Sequence, residues 1–141
     1  MDKYEILTCT DEEAEYISDQ LLAFNLDVVP PQKEPQFETI YKKIEDADGN
    51  IIAGCLGYAT CWYTAYLDIL WVTEAYRKQG LGTALIADFE RELRQRECTI
   101  VYLDTFDWQA KDFYLKQGYE LFGTLENYPK GHNKYFLKKD L

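Results

Sequence analysis

The sequence predicts a mixed α+β fold in a single domain spanning 1–141, and three observations lead there. Phe37–Ile44, Ile51–Trp62 and Ala65–Val72 are consecutive β-rich runs joined by turn signals, which read as a three-stranded antiparallel meander. Leu81, Leu85, Phe89 and Leu93 recur every four residues among charged side chains, the mark of an amphipathic helix. Beyond it, strand and helix signals alternate to the end of a 141-residue chain, close to the roughly 150 residues of one domain.

Taken in order, Tyr4–Cys9 reads as a short first strand. Thr10 with Glu13 forms a capping-box pattern that opens a helix with Ala14, Ile17, Leu21 and Phe24 on one face. Pro30, Pro31 and Pro35 end that region and make Leu26–Gln36 a loop. Asp46-Ala47-Asp48-Gly49-Asn50 carries an Asp-Gly turn signal between the first two β-rich runs, and Tyr63-Thr64 reverses the chain again. The helix from Leu81 ends near Glu97. Thr99–Asp104 follows as a strand, Trp108–Gln117 as a helix stopped by Gly118, and Tyr119–Leu125 and Lys134–Lys138 as closing strands.

Composition narrows the function. With 47% hydrophobic and 28% charged residues, the chain has enough apolar surface to offset the entropy of ordering it. Its net charge of −10 is the wrong sign for binding nucleic acid through phosphates. The excess acid lies in one half: residues 1–70 hold 14 acidic and 4 basic side chains, whereas 71–141 hold 11 of each. No leader pattern opens the chain and no run approaches the roughly 18 apolar residues of a membrane span, so a cytoplasmic protein without a membrane partner is expected. Cys9, Cys55, Cys61 and Cys98 lack metal-ligand spacing, and His132 is the sole histidine; reduced, mostly buried thiols and no metal are expected.

The informative stretch is Leu70-Trp71-Val72-Thr73-Glu74-Ala75-Tyr76-Arg77-Lys78-Gln79-Gly80-Leu81-Gly82-Thr83: a strand, a basic loop, two glycines, then a long helix. The first N–H groups of a helix lack intrahelical partners and lie at the positive end of its dipole, so they bind anions. Gly80 and Gly82 remove Cβ atoms that would keep phosphate oxygens away, and Arg77 and Lys78 add charge. An ordinary glycine turn with solvated basic residues accounts for the same letters. The spacing is neither GxGxxG nor GxxxxGK[ST].

Arg77-Lys78-Gln79-Gly80-Leu81-Gly82 resembles the Q/RxxGxG/A signature of the GNAT acetyltransferases. Downstream, Ala110, Phe113, Tyr114, Gly118 and Tyr119 resemble that family's A-x-x-[FL]-Y-x-x-x-G-[FY] segment. The resemblance covers nearly the whole chain, and Tyr128–His132 with Tyr135–Leu137 is similar to a bacterial small-molecule branch. It implies a central mixed, mostly antiparallel twisted sheet of about six or seven strands. Helices would lie on both faces, and the fourth and fifth strands would splay apart. It also implies acetyl-CoA as cosubstrate and direct attack by a primary amine. The cofactor contacts it implies are main-chain atoms of Leu70, Trp71 and Val72, then Arg77, Lys78, Gln79, Gly80, Leu81, Gly82 and Thr83, with Gln109 and Thr105 as polar additions. The Val72 N–H is the implied donor to the thioester carbonyl.

By the same resemblance Tyr114 is the general acid toward the departing sulfur; packing in the core is its other reading. Asp68 is a candidate proton acceptor for the amine or an orienting group, since strand alternation puts it on one face with Tyr66, Leu70 and Val72. Glu74 is a second candidate base or a solvated loop residue. Alternation sends the Trp71 ring to the opposite face. Asp107 departs from the family, which often carries asparagine there, and reads as a cap for the following helix. The acidic half suggests a cationic small-molecule amine as acceptor, with Tyr128 and His132 near the mouth. A non-catalytic acyl-CoA sensor and a protein lysine or N-terminal acetyltransferase are the alternatives. Relatives are frequently homodimers, although no interface signature stands out.

Overall fold

The computed structural model describes residues 3–141, in two compact units, one ending at Gln32 and the other running from Lys33 to Leu141.

In the first unit the helix α1 (Asp11–Val28) opens on the expected capping box. Glu13 N–H donates to Thr10 Oγ1 at 3.2 Å, and Thr10 N–H to Glu13 Oε1 at 2.9 Å. The backbone bond from Thr10, then its hydroxyl, hold the Glu13 carboxyl below its usual range. The helix takes in Leu26, Asp27 and Val28, which the sequence reading gave to the loop. It stops only at Val29, in the extended conformation (φ −124°, ψ 91°) that a residue before proline prefers. The strand expected at Tyr4–Cys9 is not formed: these residues take no regular secondary structure. β-Propensity supplies suitable side chains, but only a partner's ladder makes a strand.

The second unit holds β1 (Phe37–Glu45), β2 (Ile51–Thr60), β3 (Thr64–Val72), α2 (Leu81–Gln95), β4 (Ile100–Phe106), α3 (Lys111–Lys116), β5 (Glu120–Glu126) and β6 (Asn133–Asp140), with a 3₁₀ turn at Glu74–Tyr76. The sheet order is β1-β2-β3-β4-β6-β5. Every neighbouring pair is antiparallel except β3 and β4, so the expected mixed, mostly antiparallel sheet is present with six strands. The β1–β2 turn closes on Asp46, whose Oδ1 accepts from the Asp48 and Asn50 N–H groups at 2.9 Å each.

A crossover through α2 makes the β3–β4 pair parallel, and their ladder is short. It runs from Thr64/Ile100 to Leu67/Leu103 and stops. Beyond that rung β3 continues to Val72 beside β2, and β4 continues to Phe106 beside β6. This is the expected splay, lying between β3 and β4 because among the described residues no strand precedes β1.

The apolar stripe of α2 locks the sheet. Leu85, Ile86, Phe89 and Leu93 are buried against Ile40, Cys55, Leu67, Val101 and Leu103; each such side chain contributes about 1.5–3 kcal/mol. The packing is close at Gly57, where a Cβ would lie 2.5 Å from the Tyr66 carbonyl oxygen and 2.6 Å from Phe89 Cζ. On the same helix Glu90 is buried and compensated, accepting from Lys139 Nζ at 2.8 Å and Tyr119 Oη at 3.0 Å. Cys55, Cys61 and Cys98 are buried and Cys9 is exposed, all free thiols. Burial pushes the Cys55 thiol up to about 11, so it is protonated and inert at neutral pH.

The helix expected over Trp108–Gln117 begins only at Lys111. Before it, Gln109 turns back: its Oε1 accepts from Phe106 N–H at 2.6 Å and Thr105 Oγ1 at 3.2 Å. That closes a turn ahead of the helix.

Candidate active site

A cavity of about 690 Å³ opens where β3, α2 and α3 meet. Its floor is the start of α2. Gly80 caps the helix with φ +84°, a left-handed conformation in which glycine avoids a Cβ penalty of about 1–2 kcal/mol. The first intrahelical bond is Ala84 N–H to Gly80 O at 3.0 Å. Helix geometry therefore leaves the N–H groups of Leu81, Gly82 and Thr83 without helical acceptors. A Cβ on Gly80 would meet nothing within 4 Å, so space stands open beside that turn. These features fit a bound phosphate. Beside Gly82 the space is filled instead: a Cβ there would make ordinary contact with Phe113 Cζ at 3.4 Å, where α3 meets the start of α2.

One wall is the free rim of β3. Thr73 N–H bonds to Ile52 O on β2 at 2.8 Å. Backbone groups alternate between the two edges of a strand, so Leu70 and Val72 turn their N–H and C=O toward the splay and Trp71 turns its own toward β2. Arg77 Nε donates to Val72 O at 3.0 Å, tying the basic loop to that rim. Leu70, Trp71, Val72, Arg77 and Lys78 all border the cavity, as do Gly80, Leu81, Gly82, Thr83 and Gln109. Gln79 does not. Thr83 Oγ1 and Gln109 Oε1 already take internal partners, and Thr105 is buried on Gln109.

Tyr114 reaches the cavity from α3. Its ring is buried beside Phe113 and Tyr119, with centroids 5.3 Å and 5.9 Å away. Burial, then the charges of Cys55 and Asp104, push its phenol up to about 12, so the hydroxyl keeps its proton at physiological pH. Tyr76, Trp108 and Phe113 also line the cavity and were not named as cofactor contacts. Phe113 stood in the quoted motif; a tyrosine in a 3₁₀ turn and a tryptophan in an irregular loop carry no periodic signal.

Asp68 requires a correction. Leu56 pairs with Ile69, but Gly57 pairs with Leu67, so Asp68 is the extra residue of a bulge. The bulge breaks the assumed alternation: Leu70 and Val72 pack on the core, and Asp68 is exposed, its charge acting on the Tyr66 phenol. It stands one residue past the last β3–β4 rung and outside the cavity wall. Bulges re-aim side chains in this way beside functional sites. Glu74 is exposed at the start of the 3₁₀ turn.

Asp107 does not cap α3, whose N-cap is Ala110 without a side-chain bond. Its carboxylate instead accepts from Asn133 N–H at 2.8 Å and pairs with His132 Nδ1 at 2.9 Å. The backbone bond from Asn133, then His132, hold the Asp107 carboxyl below its usual range. This clasp joins the loop before α3 to the β5–β6 turn. Trp108 stacks on Phe106 at 4.4 Å, and His132 meets it edge-on at 5.0 Å. Among the described residues no cluster suits a metal ion, and no helix is long and apolar enough to cross a membrane.

The family model described as the Acetyltransferase (GNAT) family matches residues 4–119. Over 94 residues the chain is 35% identical to blasticidin-S acetyltransferase of Streptomyces morookaense, covering 66% of this chain and 68% of that protein. It is 33% identical over 131 residues to acetyltransferase Atu2258 of Agrobacterium fabrum, covering 92% of each. A crystal structure of an acetyltransferase from Bacillus cereus covers 100% of both chains, with a TM-score of 0.92 and 32% identity. The fold and these likenesses define an acyltransferase. The chain belongs to the GNAT family of acetyltransferases.

Proposed function

We propose that this enzyme transfers an acetyl group from acetyl-CoA to a primary amine of a cationic small molecule, within a ternary complex. One observation carries the reading: a single cavity joins an open helix N-terminus, a free strand rim and a buried phenol. The N–H groups of Leu81, Gly82 and Thr83, with Arg77 and Lys78, hold the pyrophosphate. The β3 rim pairs with the amides of the pantetheine arm, and Val72 N–H donates to the thioester carbonyl, where charge builds in the transition state. Arg77 already occupies Val72 O, so the arm's own donor pairs further along the rim.

The thioester supplies the acyl carbon. Asp68, directly or through water, takes the proton that the amine sheds, and Tyr114 Oη–H donates to the departing sulfur. The blasticidin-S acetyltransferase likeness supports a small-molecule acceptor, and the excess of acid in residues 1–70 supports a cationic one. Calorimetry with coenzyme A, followed by thiol release from acetyl-CoA against an amine panel, tests this. Binding and turnover are expected; silence with coenzyme A refutes the cofactor site, and binding without turnover makes the domain a sensor. Turnover with peptides alone would make it a protein acetyltransferase.

A further inference from the structure

We propose that Tyr66, oriented by Asp104, is a further acceptor-binding residue: its phenol oxygen receives a hydrogen bond from the attacking amine at the mouth of the splay. The inference rests on the transfer reading above and adds the group that aims the nitrogen.

Tyr66 and Tyr102 face one another across the parallel ladder, with ring centroids 4.7 Å apart. Asp104 lies two residues beyond Tyr102, on the same face and past the last rung at Leu67/Leu103. Tyr66 Oη donates to Asp104 Oδ2 at 2.7 Å. The phenol oxygen is thereby drawn to the level where the strands part, just past the last rung, where Asp68 follows two residues later on the same strand β3.

Asp104 is engaged on its other oxygen as well, 3.4 Å from Lys134 Nζ. That ammonium lies 5.2 Å from the Tyr128 ring centroid and 5.4 Å from that of Phe106. A carboxylate held on both oxygens is a fixed anchor. The Tyr66 proton is committed to Asp104, so its lone pairs are what it offers to the gap. Burial, the bond to Asp104 and the Asp104 charge hold this phenol above the ordinary tyrosine range, keeping it neutral. The charge of Asp104 also acts on the Tyr114 phenol.

An amine about to attack has one lone pair for the acyl carbon and N–H bonds to place. With Asp68 and Tyr66 as two acceptors, the lone pair is turned toward the thioester. The C–N bond forms, the C–S bond breaks, one amine proton leaves to Asp68 or water, and sulfur takes its proton from Tyr114 or solvent. Tyr66 transfers none.

The experiment is a double-mutant cycle with the best amine of the panel. Tyr66→Phe keeps the ring and is expected to lower kcat/KM for the amine roughly tenfold or more, the scale of one lost hydrogen bond, with acetyl-CoA affinity unchanged. Asp104→Asn alone should cost a similar factor, and in the Tyr66→Phe background less than twofold, because it acts through the phenol. Tyr66→Phe within twofold of wild type, or full additivity, overturns the inference while the transfer reading stands. Wild-type protein that releases no thiol with any amine overturns the transfer reading and this inference with it. Should Asp104→Asn fail to fold, Tyr66→Phe decides alone.

Discussion

Replacing Tyr114 with phenylalanine isolates one hydroxyl. The ring packing against Phe113 and Tyr119 is retained, so thermal stability should move by less than about 1 kcal/mol. What is lost, on the proposed mechanism, is the hydroxyl that faces the leaving sulfur. With the phenol pushed up to about 12, only about one molecule in 10⁴ is ionised at pH 8, so the wild-type donor is in place throughout the working range. Against a thiol of about 8.5, complete proton transfer from such a phenol is uphill by roughly three and a half units. On the proposed mechanism its contribution is then a hydrogen bond to the developing thiolate. That is worth about 2.7 kcal/mol, or roughly 10² in kcat. Pre-steady-state thiol release measures kcat, and calorimetry measures coenzyme A affinity, which should not change. A kcat within threefold of wild type, at intact affinity, would refute the role assigned to Tyr114.

Three further outcomes follow from the geometry. Gly80→Ala forces a Cβ onto a left-handed residue (φ +84°) with open space around it, so it should cost about 1–2 kcal/mol through the backbone alone and weaken coenzyme A binding; calorimetry and thermal melting read both. Gly57→Ala drives a Cβ to 2.5 Å from the Tyr66 carbonyl oxygen and 2.6 Å from the Phe89 ring, and overpacking of about 1–3 kcal/mol or more should appear as a lowered Tm. Because the folded state raises Tyr114 from 10.0 to about 12 and Cys55 from 9.0 to about 11, the unfolded chain loses these protons first. The stabilisation is therefore complete below about pH 9 and is lost as pH rises toward 12. Melting curves between pH 8 and 11 should show the decline, and Tyr114→Phe should flatten its upper part.

Much of this architecture was legible in the residues. The Asp48-Gly49 pair announced the first hairpin, the four-residue recurrence from Leu81 to Leu93 announced α2, and the glycines at 80 and 82 announced the turn that opens it. What escaped depends on partners remote in sequence. Tyr4–Cys9 has strand-like side chains, but pairing is not written in them. The bulge at Asp68 arises from the register between β2 and β3, and it reversed the facing inferred for Leu70 and Val72. Trp108 borders the cavity because Gln109 folds back on Thr105 and Phe106, and Asp107 serves the β5–β6 turn because Asn133 and His132 arrive from 26 and 25 residues away.

The open head of α2 presents main-chain amides, the groups that the proposed cofactor site would use. Such N–H groups are common to nineteen of the twenty amino acids, so mutation can rewrite most neighbouring side chains without removing them, provided the chain still bends at Gly80. On the proposed reading, the rim around Tyr66, Asp68 and Asp104 is then free to change with the acceptor while those amides keep the donor in place.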